Sequence, residues 1–77
     1  MVVAYALLEA DTPETDRLLE AVAGIEAVQT AHIVAGDVEL IARIEAEDPM
    51  AVSEVVAKQI GRIDGVVNTE TYISRGA

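Results

Sequence analysis

The chain is 77 residues long and 52% hydrophobic, and fourteen Asp and Glu against five Lys and Arg give it a formal net charge of −9 and a pI near 4.2. Several classes are thereby excluded: without cysteine there is neither a disulfide nor a thiolate metal site, and an acidic surface opposes a polyanion, because phosphate contacts need clustered cations. The length allows one domain over residues 1–77, near the lower size at which a core holds a chain folded alone. With no Phe and no Trp, that core must be built from Val, Ile, Leu and Ala, each larger aliphatic contributing roughly 1.5–3 kcal/mol on burial. A core this thin leads us to expect association that buries a second apolar surface. No secretory signal opens the chain and no run approaches the roughly 20 apolar residues of a membrane span, so a cytoplasmic location is expected. The acidity fits a high-salt cytoplasm and an ordinary soluble protein equally.

Val2 to Leu8 is almost wholly apolar, as in a strand with both faces covered. A first helix then opens at Thr12 as N-cap with Pro13 in its first turn, carries Leu18, Leu19 and Val22 as its apolar stripe, and ends at Gly24. A second strand, about Ala27 to Val34, places Val28, Thr30, His32 and Val34 on one side and Gln29, Ala31 and Ile33 on the other. Gly36-Asp37 is predicted to form a tight turn into a third strand, Val38 to Glu45, the pair making a hairpin. Asp48 caps a second helix with Pro49 in its first turn, and Val52, Val55, Val56, Ile60 and Ile63 give the cleanest helical period in the chain. Asp64-Gly65 reverses the chain into a last strand, Val66 to Ser74, in which Val67, Thr69, Thr71 and Ile73 share a face opposite Asn68, Glu70 and Tyr72.

Glu9-Ala10-Asp11-Thr12-Pro13 and Glu45-Ala46-Glu47-Asp48-Pro49 each open a helix flanked by strands, so one strand–helix–strand unit is written twice. The fold class that follows is α+β, a ferredoxin-like βαββαβ unit with a four-stranded antiparallel sheet and two helices on one face. The first and third strands are apolar on both sides, whereas two short helices cover one face only. A second copy's sheet packed against the other face, in an association of the dimeric α/β barrel type, would satisfy both strands.

Candidate chemistry is sparse. His32 is the one histidine and has neither a second imidazole nor a thiolate to complete a metal site; a structural or interface role fits it better. Ser53 and Ser74 lack a base at motif spacing, and no phosphate-binding glycine loop is present. Gly36-Asp37-Val38-Glu39 allows two readings, an ordinary acidic hairpin turn or one end of a zwitterion site in which carboxylates hold an ammonium while turn amides and hydroxyls hold a carboxylate. Thr69 and Thr71 would supply such hydroxyls, though threonine also simply favours strands.

In sequence, Val3-Ala4-Tyr5-Ala6-Leu7-Leu8, the hairpin Ala31 to Ile44 with Gly36-Asp37-Val38-Glu39 at its bend, and Ile63 to Ile73 resemble the opening strand, central hairpin and closing segment of the effector-binding (RAM) domain of Lrp/AsnC transcription regulators. The resemblance covers essentially the whole chain. It implies homodimers formed by facing sheets, higher rings of dimers, and an amino acid or related small metabolite bound between neighbouring dimers, with Gly36, Asp37, Glu39, Thr69 and Thr71 as ligand neighbours. It implies no cofactor, no metal and no enzymatic activity. Two departures stand out: Val38 and Glu39 occupy positions where the family usually shows an aromatic and an aspartate, which puts the ligand's identity in doubt, and no helix-turn-helix segment precedes the first strand. The second points to a stand-alone form that senses or oligomerises without contacting DNA, although a piece cut from a longer regulator would read the same. Two alternatives remain beside the sensor: an assembly partner that mixes with full-length Lrp/AsnC regulators without a ligand, and a small cofactor-free enzyme of the dimeric α/β barrel type, for which His32 is the obvious group.

Overall fold

The computed structural model describes residues 1–76. Its elements run β1 (Val2–Ala10), α1 (Thr15–Ala23), β2 (Val28–Ile33), β3 (Leu40–Ala46), α2 (Pro49–Val55, continued by a π-helical turn over Val56–Ile60) and β4 (Val66–Ile73). The four strands form one antiparallel sheet in the order β2-β3-β1-β4, with the two most apolar strands at its centre. This is the ferredoxin-like arrangement expected from the duplicated unit.

Register divides the residues between the faces. Ala4, Ala6 and Leu8 of β1 stand opposite Ile44, Ala42 and Leu40 of β3, and all six are fully buried under the helices. Leu18 and Val22 of α1 and Val52, Val55 and Ile60 of α2 and its continuation close this core from above. Alanines in the middle rows of the sheet let the helices approach closely, which suits a chain without Phe or Trp. On the far face Val3, Tyr5 and Leu7 lie beside Glu45, Arg43 and Ile41, and no helix covers them. Arg43 Nη1 donates to Glu45 Oε2 at 2.8 Å on this face, and Tyr5 pairs in register with Tyr72 of β4.

Both helices begin near a proline, but differently. Asp48 caps α2 as the sequence predicts, its Oδ1 accepting from the Ala51 N–H at 2.8 Å, with Pro49 just inside the helix. The first helix starts at Thr15, later than predicted: Thr12 Oγ1 accepts from the Glu14 N–H at 3.1 Å and shapes the approach, while Glu14 takes the N-cap position without a side-chain bond. Two further expectations are corrected. The pairing of β2 with β3 is irregular between Val28 and Thr30, so Val28 joins Ala31 and Ile33 on the helix side and strict alternation fails; Thr30 and His32 face outward. The hairpin bend is longer than a two-residue turn, spanning Val34 to Glu39, with the Val34 N–H donating to the Glu39 carbonyl at 2.9 Å.

The second helix widens at its end, where the Gly61 N–H reaches the Val56 carbonyl at 2.7 Å. Buried Val55 and Ile60 are five residues apart, too far for one α-helical turn; the wider turn keeps both on the core side. At the far end of the following bend, Gly65 has φ 104°, a region that L side chains rarely occupy. Its carbonyl accepts from the Asp11 N–H at 2.8 Å, and Arg17 Nη2 donates to the Asp64 carbonyl at 2.9 Å. A Cβ at Gly65 would lie 2.8 Å from Thr12 Cγ2. Gly65→Ala is therefore expected to destabilise the domain by about 1–3 kcal/mol, from the backbone strain and the clash together; the midpoint of urea unfolding measures it.

Candidate functional site

The bend between β2 and β3 sits at the end of the sheet where β1 finishes. The Glu39 N–H donates to the Leu8 carbonyl at 2.8 Å, so the last residue of the bend is fastened directly to the central strand. Gly36 and Asp37 are exposed at the tip and Glu39 is half-buried at its base. Gly36 is not in the left-handed region, and a Cβ there would meet nothing within 4 Å. Its value to a ligand is thus an open approach to the backbone rather than an unusual conformation.

Thr69 and Thr71 lie across β1 from this bend. They pair with Leu8 and Ala6, on the helix side of β4; Thr69 is half-buried and Thr71 exposed. Since β1 stands between β3 and β4 and adjacent strands are about 4.8 Å apart, the backbone of Thr69 is roughly 10 Å from that of Leu40, and Thr71 lies roughly 7 Å further along the strand. An amino acid carries its ammonium and carboxylate on the same carbon. One molecule therefore does not bridge Asp37 and Thr71 of the same copy, and the five candidates fall into two groups on either side of β1, the acidic bend at the end of the sheet and the β4 threonines, of which Thr71 lies nearer the middle.

A second feature of this end has no local signal in the sequence. Asn68 Nδ2 donates to Glu9 Oε2 at 2.8 Å on the uncovered face, joining β1 to β4 through residues far apart in the chain. With Asp37 and Glu39 this makes the end strongly acidic. Arg17 is bonded to Glu14 and the Asp64 carbonyl and Arg43 to Glu45, and Arg62 is exposed in the bend that leads into β4. Among the described residues no group of three or more His, Asp or Glu side chains is placed to hold a metal ion. An open depression of about 340 Å³ lies at the opposite end of the sheet, lined by Met1, Val2, Val3, Ser74, Arg75 and Gly76, well away from the bend. His32 is exposed on the uncovered face beside Ile41. No helix among the described residues is long and apolar enough to cross a membrane.

The comparisons with known proteins assign this ferredoxin-like sheet to a family. The chain belongs to the Lrp/AsnC ligand binding domain family, whose model matches residues 3–75. It is similar in structure to the protein TTHA0845 of Thermus thermophilus, with 28% identity and a TM-score of 0.93 over 100% of this chain and 96% of that one. It is also similar to AsnC of E. coli, with 18% identity and a TM-score of 0.91, covering 99% of this chain but 52% of that one. A transcriptional regulator of Neisseria meningitidis, NMB0573, solved as a complex with L-Met, superposes with a TM-score of 0.84 at 13% identity over 95% of this chain and 49% of its own. The chain thus spans about half the length of these two regulators, and at such identities the likeness is one of fold. No curated protein matches the chain.

Proposed function

We propose that the chain is an amino-acid-sensing and oligomerising module of the Lrp/AsnC type, acting in transcriptional regulation in the cytoplasm. Asp37 or Glu39 of one copy holds the ammonium of an amino acid or related metabolite, while Thr69, Thr71 and the Gly36 amide contribute to holding its carboxylate. One observation carries this reading: the candidates fall into two groups separated by β1, an arrangement suited to a pocket that residues from more than one copy complete. Binding and assembly are then one equilibrium, and a ligand shifts the oligomer by its differential affinity for the assembled state. Support comes from membership of a ligand-binding family and from the fold neighbour named as an L-Met complex. Homodimers through the bare sheet face, higher rings, and mixing with full-length regulators of the same family belong to the same proposal.

The test is light scattering and thermal unfolding across a panel of amino acids. A true ligand at a hundredfold excess over its Kd contributes about 2.7 kcal/mol, which for a domain of this size raises the melting temperature by roughly 10 °C or more. Neither a shift in melting nor a change in mass anywhere in the panel would remove the ligand from the proposal and leave the assembly partner. Asp37→Asn is expected to weaken ligand binding by about tenfold or more, through loss of a charge-assisted bond, with the unliganded melting temperature changed little because Asp37 is exposed. Titration calorimetry with the ligand found in the panel measures it.

A further inference from the structure

We draw no further inference here: the strongest candidate, the open depression at the end of the sheet opposite the bend, is walled only by residues 1–3 and 74–76 around a single arginine, Arg75, and nothing in the structure shows what covers it.

Discussion

Replacing Leu8 with alanine is expected to cost the domain about 2–5 kcal/mol, the range for emptying a large aliphatic site in a core that collapses only partly. Leu8 is fully buried in the row that joins β3, β1 and β4, opposite Leu40 on one side and Thr69 on the other. A domain of this length has a total stability of about 4–12 kcal/mol, so the loss takes a large share of it. The midpoint of urea unfolding should fall accordingly, with the slope unchanged. Leu8 is also the strut between the two groups of candidates, since its carbonyl receives the Glu39 N–H.

Its neighbour behaves in the opposite way. Leu7 points to the bare face, where it pairs in register with Ile41 and Glu70, and Leu7→Lys is expected to leave the protomer folded because Glu70 stands beside the new cation. In a facing-sheet dimer the same lysine would be shut between apolar side chains, at a cost of several kcal/mol. The expected result is a halved mass in light scattering, with the circular dichroism spectrum of the parent. A Leu7→Lys protein of parent mass would show that the bare face is not what holds the copies together. Two adjacent residues of one strand thus separate folding from assembly, because successive side chains of a strand go to opposite faces.

Much of the architecture was legible because its punctuation is chemically strong. Asp48-Pro49 and Gly65 act as the sequence predicts, and the apolar character of both sides of β1 and β3 announces a sheet with one face uncovered. The failures have local causes. Thr12 and Pro13 mark the approach to α1 rather than its first turn, as the threonine's hydroxyl is used by Glu14. Gly36-Asp37 has the composition of a tight hairpin turn, yet the bend is closed by Val34 and Glu39, and Gly36 needs no special backbone. A register irregularity at Val28 to Thr30 cannot be read from alternation, because one unpaired residue inverts every assignment on one side of it. The π-helical turn was hidden for a different reason: Val52, Val55, Val56, Ile60 and Ile63 fit a regular helix and a widened one alike.

For the candidate site, the sequence identifies an acidic bend and two strand threonines, and the structure leaves Gly36, Asp37 and Thr71 exposed and Glu39 and Thr69 half-buried. What the sequence could not convey is their separation. That Thr69 pairs with Leu8, and that Leu8 also anchors Glu39, depends on the pairing of strands distant in the chain. The partnership of Glu9 with Asn68 is invisible for the same reason.

The two tyrosines are the only aromatic side chains of the Phe, Tyr and Trp kind in the molecule, and register sets them next to each other on the bare face. The protein therefore has a built-in optical probe: with no indole to overwhelm it, phenol emission comes solely from the surface where copies would meet. Dilution or addition of a metabolite could then be followed by fluorescence anisotropy on unlabelled material, and the signal would report on that one surface.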